Sequence, residues 1–233
     1  MFGRYSLRTL DVDRARRFYA DVVGLDFSEA ADVSGLEAWP LHEQARARGA
    51  PPHWLGQLGV ADVEGAVSRL VALGAERLGP TVHGPGGAVW ATLRDPCGAV
   101  VAVREGTAPP SRSRVAFHLL HTRELDRAWA TYAELVGWHE TGSLEADGVS
   151  ERVRTFSWEP AGATVGGVVD TARLPGVHPH WLFYFQVRDL DGALARVRES
   201  GGKTLAPIAL AGGVRLAACD DPQGAAFGLL SST

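Results

Sequence analysis

The chain has 233 residues, 45% hydrophobic and 21% charged, with a net charge of −4 at pH 7. This is a globular composition with room for two cores of roughly 100 residues each. The acidic balance excludes a basic nucleic-acid footprint, no apolar run approaches the roughly 18–20 residues that span a bilayer, and two cysteines, Cys97 and Cys219, cannot build a disulfide framework.

The opening Met1-Phe2-Gly3-Arg4-Tyr5-Ser6 lacks the apolar stretch of a signal peptide, so the expectation is a cytoplasmic protein with reduced thiols. A helix then opens at Asp11 and repeats Val12, Ala15, Phe18/Tyr19 and Val22/Val23, the stripe of a helix that covers a sheet. Asp at the start caps free N–H groups, and Gly24 ends the helix. A short polar helix is expected over 42–48. Pro52-His53-Trp54-Leu55 leads a strand into a second helix, opening at Asp62 with Val63, Ala66/Val67 and Leu70/Val71 and closed by Gly74. Asp95-Pro96-Cys97-Gly98 has the Asp, Pro and Gly spacing of a type I turn, here joining two apolar strands. Residues 107–113, with Pro109-Pro110 at their centre, read as an exposed linker.

After the linker the pattern begins again. Asp13-Arg14-Ala15, Tyr19 and Val23-Gly24 recur 113 residues later as Asp126-Arg127-Ala128, Tyr132 and Val136-Gly137. Pro52-His53-Trp54-Leu55 recurs 127 residues later as Pro179-His180-Trp181-Leu182, and Asp95-Pro96 recurs as Asp221-Pro222 in Asp221-Pro222-Gln223-Gly224. Helices three and four therefore open near Glu124 and at Asp189 and end at Gly137 and Gly201. The change of offset from 113 to 127 puts 14 additional residues between Gly137 and His180, room for an extra strand near 163–170. The chain reads as a duplication with halves 1–108 and 112–233, each built of two β-α-β-β(-β) units.

The motifs over 11–25, 53–75, 117–138 and 180–202, with the two Asp-Pro-x-Gly turns, resemble the vicinal oxygen chelate superfamily of glyoxalases, extradiol dioxygenases and bleomycin-binding proteins. The resemblance covers nearly the whole chain. It implies an α+β fold of four βαβββ-type units forming two cup-shaped mixed β-sheets with helices on the outside. It also implies metal positions on the first strand of each unit, seven residues before the helix-opening acid, and on the last strand, four residues after the turn glycine. Here those positions hold Arg4, Leu55 and Ala102 in the first half and Phe117, Leu182 and Gly228 in the second. None offers the oxygen or imidazole donors that a divalent ion needs, so neither a metal nor another cofactor is expected.

Strand parity supplies the candidate site residues. It puts Arg4, Ser6, Arg8 and Gln57 in the first cup, where paired guanidinium groups favour an anionic or planar ligand. It puts Phe117, Leu119, His121, Tyr184 and Gln186 in the second, with His118 turned to the opposite face. His121 and Tyr184 would be the acid/base pair of an enzyme. Trp39, Trp90 and Trp158, on strands read as facing inward, suggest an aromatic cavity. Repetition of His53 and His180 suggests a shared structural bond to local backbone. The leading expectation is a metal-independent binder of a small hydrophobic or aromatic molecule, of the antibiotic or secondary-metabolite type, acting as a monomer or homodimer. A metal-free isomerase, cyclase or hydrolase is the first alternative. A metal-dependent glyoxalase or dioxygenase with atypical ligands is the second.

Overall fold

The computed structural model describes residues 1–28, 31–106, 113–145 and 152–232; the linker expected at 107–113 lies outside these except for Ser113. The first half runs β1 (Phe2–Thr9), α1 (Val12–Val23), α2 (Ala31–Ser34), β2 (Leu36–Pro40), α3 (Glu43–Ala47), β3 (His53–Val60) and α4 (Val63–Ala72). It closes with β4 (Glu76–Arg77), β5 (Val82–His83), β6 (Val89–Arg94) and β7 (Val100–Glu105). The second half runs β8 (Val115–Thr122), α5 (Leu125–Val136), β9 (His139–Leu144), β10 (Val153–Ser157), β11 (Gly166–Asp170), β12 (His180–Gln186) and α6 (Leu190–Glu199). It closes with β13 (Lys203–Thr204), β14 (Ile208–Ala209), β15 (Val214–Asp220) and β16 (Ala226–Ser232).

The helix signals act as their chemistry requires. Asp11 and Asp189 each accept a hydrogen bond from the backbone N–H three residues on, at 2.9 and 3.0 Å, whereas Asp62 makes no such bond. Gly24 and Gly137 take left-handed φ values of 72° and 66°, which a residue with a Cβ adopts only under strain. Asp95 and Asp221 close their turns through the backbone of Gly98 and Gly224 at 3.0 and 2.9 Å, linking β6 to β7 and β15 to β16.

Each half forms its own mixed sheet, ordered β2-β1-β3-β7-β6-β4 and β13-β15-β16-β12-β8-β11-β10-β9. The two differ on one flank. Among the described residues, beyond β1 the first sheet has only β2, while beyond β8 the second has β11, β10 and β9. The first unit is therefore β-α-α-β-α, short of the strands expected of it, and the surplus residues between Gly137 and His180 build the second half's additional flank.

The sheets meet through their back faces in one shared core. Phe2 of β1 packs edge-on against Trp181 and Phe183 of β12. Gly56 of β3 makes this approach possible: a Cβ there would lie 2.6 Å from the rings of both Phe2 and Phe183. Two matched polar clusters cross the same boundary. Trp54 donates to the Tyr19 hydroxyl at 2.9 Å, and Tyr19 donates to Asp221 of the other half at 3.3 Å. Trp181 donates to the Tyr132 hydroxyl at 3.0 Å, and Tyr132 donates to Asp95 at 2.8 Å. All six side chains are buried. The residues that repeat in the sequence are thus the residues that join one half to the other.

Candidate small-molecule cavity in the second half

The second sheet curls around a cavity of about 440 Å³, within the range of small-molecule sites. Its floor includes Phe117, Leu119, Leu182 and Tyr184 from the central strands, with Leu216 and Ala218 from β15. Leu144, Val153 and Val169 form one wall, so β9, β10 and β11 each contribute to it. Leu174 and Val177 close a second side from the segment before β12. Leu205, 69% exposed, stands at the mouth. Alternation along each strand sends these side chains to one face and Phe183, Phe185 and Phe227 to the core.

The cavity's polar end is a histidine stack. His121 of β8 pairs in register with His180 of β12, and the two rings lie 4.5 Å apart and within 2° of parallel. Nδ1 of His180 bonds the carbonyl of His178 at 2.8 Å; since a carbonyl only accepts, Nδ1 carries the proton. His53 makes the equivalent bond to Pro51 at 2.8 Å, which is the shared structural role read from the repeat. His121 differs: both of its ring nitrogens are buried and neither has a hydrogen-bond partner. Burial, followed by the neighbouring His180 and His178, pulls its pKa down to about 3. Burial also pushes the Tyr184 hydroxyl up and the Cys219 thiol up to about 12, so neither ionises near neutrality.

His118 faces the core as parity required. It bonds the Tyr5 hydroxyl at 2.7 Å and the Val165 carbonyl at 2.7 Å, and burial lowers its pKa to about 4. Both histidines bind a proton more readily in the unfolded chain, where imidazole titrates near 6.5, than in the folded one. Stability is therefore expected to fall as pH drops from about 6.5 toward 4, by up to about 1.4 kcal/mol per pH unit for each group. Urea unfolding at pH 7, 6 and 5 measures this, and His121→Leu is expected to make the slope shallower.

Several expected site residues lie elsewhere. Gln186 shares Tyr184's parity but sits at the exposed end of β12, outside the cavity. Trp158 follows the end of β10 and packs against Phe2, His118 and Phe156 of the core. Trp39 is 48% exposed on β2, and Trp90 carries the Arg104 guanidinium over its ring at 5.6 Å. Among the described residues no tryptophan lines the cavity, because Trp54, Trp138 and Trp181 are consumed by the cores. His121 and Tyr184 line the cavity without forming a pair: four strand positions separate Tyr184 from His180, the register partner of His121, or roughly 13 Å at strand rise.

Arg4, Ser6, Arg8 and Gln57 lie on the first sheet, on the face where Glu37 gathers the polar groups. Ser6 donates to Glu37 at 3.1 Å, Gln57 donates to Ser6 at 2.5 Å, and Arg4 pairs with Glu37 at 3.5 Å. Glu37, absent from the candidates, neutralises part of the charge that suggested an anion site. Arg8 feels the same carboxylate while burial lowers its pKa.

The metal positions implied by the fold do not fit a metal. Phe117 and Leu182 present hydrocarbon to the cavity, and the Gly228 position is filled by its neighbour: a Cβ there would overlap the Tyr184 ring. Arg4, Leu55 and Ala102 in the first half likewise lack a donor set. No group of three or more His, Cys, Asp or Glu side chains suited to a metal ion occurs among the described residues. Gly228→Glu, which restores a carboxylate at the mapped position, is expected to gain no metal affinity by calorimetry. It should instead lower the unfolding free energy by about 1–3 kcal/mol through overpacking against Tyr184.

Residues 5–104 match the family described as a glyoxalase-like domain. Two relatives, each named "Putative glyoxylase CFP32", from Mycobacterium bovis and Mycobacterium tuberculosis, are 28% identical over 96% of this chain and 92% of their own. The structure of a Mn(II)-bound glyoxalase from Novosphingobium aromaticivorans superposes with a TM-score of 0.62 at 15% identity, covering 99% of this chain and 81% of that one. The 2,3-dioxygenase LapB from Pseudomonas sp. KL28 does so with a TM-score of 0.62 at 14% identity, covering 99% and 91%. Residues 5–104 are thus similar to a glyoxalase-like domain, and the chain has the α+β fold of these solved structures. No helix among the described residues is long and apolar enough to cross a membrane.

Proposed function

We propose that this protein takes up a small, largely apolar molecule in the cavity of its second half, without a metal ion. On this reading 1–108 and 112–233 are two glyoxalase-like domains, the first a partner that buttresses the second. One observation carries the proposal. Of the three positions where the superfamily would hold a metal, Phe117 and Leu182 line a cavity of about 440 Å³, and the third is Gly228, whose space the Tyr184 ring fills. The names of the relatives speak for a chelating enzyme, a glyoxalase or a dioxygenase; the donor set of this chain speaks against it.

The neutral fluorescent probe N-phenyl-1-naphthylamine tests the proposal on the full chain. Emission enhancement saturating at one probe per chain, unchanged after EDTA treatment, is expected. Absence of enhancement, or its loss after EDTA, would contradict it.

A second reading, a metal-free enzyme, draws on His121. A neutral imidazole without a partner, at the end of an apolar cavity, is suited to polarise a bound molecule through a hydrogen bond, while its lowered pKa makes it a weak proton acceptor. Tyr184 stands too far along the sheet to complete a pair with it in a single proton transfer.

A further inference from the structure

Buried polar groups in folded proteins are almost always hydrogen-bonded, and leaving one unpaired costs free energy. His121 is an exception at an informative place. Both of its ring nitrogens are buried and unpartnered, and the residue lines the cavity. The surrounding walls are mainly Leu, Val, Phe and Ile; Thr171, Lys203, Thr204 and Asp220 also line the cavity, but none of them bonds His121. The ring is also held rather than loose. It lies flat on His180, whose own orientation is locked by the bond from Nδ1 to the His178 carbonyl. A neutral imidazole in an apolar setting, both of its nitrogens covered in this conformation, is a hydrogen-bonding point for a molecule that uncovers one of them.

We propose that the cavity selects a neutral, mainly apolar molecule bearing a hydroxyl group, of the phenol or alcohol class, seated with that hydroxyl on the His121 imidazole. The proposal rests on the reading that the cavity binds an apolar molecule and adds the chemistry that orients it. A hydroxyl group suits the site because it both donates and accepts, and so meets either tautomer of His121. A charged group suits this seat less well: the charged side chains of the lining, Lys203 and Asp220, stand on β13 and β15, and neutral His121 offers no opposite charge in exchange for lost hydration. His180 is then a positioning residue, acting on the ligand through His121.

The same arrangement sets the direction of binding. His121 lies at one end of the central strands and Tyr184 roughly four residues further along. The hydroxyl end of the ligand faces the His121 stack, and its hydrocarbon body extends over Leu119 and Leu182 toward Tyr184.

The test compares 2-naphthol with naphthalene by equilibrium dialysis against the full chain, its His121→Leu variant and its His121→Gln variant. In the parent protein 2-naphthol is expected to bind about tenfold more tightly than naphthalene, the factor associated with one uncharged hydrogen bond. His121→Leu is expected to abolish that preference while still binding naphthalene. His121→Gln, which keeps a hydrogen-bonding group and guards against a folding defect in the leucine variant, is expected to retain a preference for 2-naphthol. Equal preference in the parent and the leucine variant would overturn the hydroxyl assignment while leaving the apolar cavity intact. If the parent bound neither compound, the cavity reading would fail, and this inference with it.

Discussion

Ala218→Trp is expected to abolish binding of an apolar probe, lowering affinity by at least about 100-fold while leaving the fold intact. Ala218 sits on β15, in register with Gly228 of β16, and its methyl group faces the cavity. An indole at that position occupies space that is open rather than packed. The overpacking cost of adding bulk to a filled core, about 1–3 kcal/mol, is thereby largely avoided. Probe fluorescence and urea unfolding together separate the two effects. Gln186→Ala is the control: its side chain is exposed at the end of β12, and its removal should change neither quantity. An Ala218→Trp protein that binds as the parent does would place the site elsewhere.

Tyr19→Phe and Tyr132→Phe should each cost about 2–3 kcal/mol, a large part of the stability of a typical domain. Each hydroxyl accepts from a buried tryptophan N–H in its own half and donates to a buried aspartate of the other. Removing it leaves the indole N–H unpaired and strips one partner from a carboxylate whose pKa burial already raises. Tyr132 makes the shorter bond to its aspartate, 2.8 against 3.3 Å, so its loss should be the more severe. Since the two halves share one core, both variants should still unfold in a single transition by urea titration. Losses below about 0.5 kcal/mol would show that the crossing bonds are incidental to the packing around them.

The duplication, the four main helices and the two turns were legible because they depend on local chemistry: an acid before an apolar stripe, a glycine after it, and Asp-Pro-x-Gly between strands, although only Asp11 and Asp189 cap with their side chains. Alternation along β8 was enough to turn Phe117, Leu119 and His121 to one face and His118 to the other. What could not be read depended on contacts distant in sequence. Tyr19 and Asp221 are 202 residues apart, and nothing local shows that the repeated tyrosine of one half bonds the repeated aspartate of the other. The same holds for Trp158, expected at a cavity wall: it packs against Phe2 of the other half and against His118, while Trp39 and Trp90 lie on the first sheet, away from the second-half cavity.

Two further departures have local causes visible only in the sheet. Among the described residues the first unit lacks the strands that would wall a cup, since those between Gly24 and His53 form β2 and two short helices. The 14-residue surplus in the second half, visible as a change of repeat offset, becomes the wall of β9, β10 and β11. The pairing of His121 with Tyr184 failed on register, since the strands align His121 with His180.

The most direct test of the central claim is elemental analysis of the full chain after loading with manganese, ferrous iron, nickel or zinc and desalting. Metal content well below one ion per chain is expected, with the apolar probe still bound at one per chain. One ion per chain, lost in the His121→Leu variant, would contradict the claim and make the cavity a metal site built on histidines outside the superfamily's usual positions.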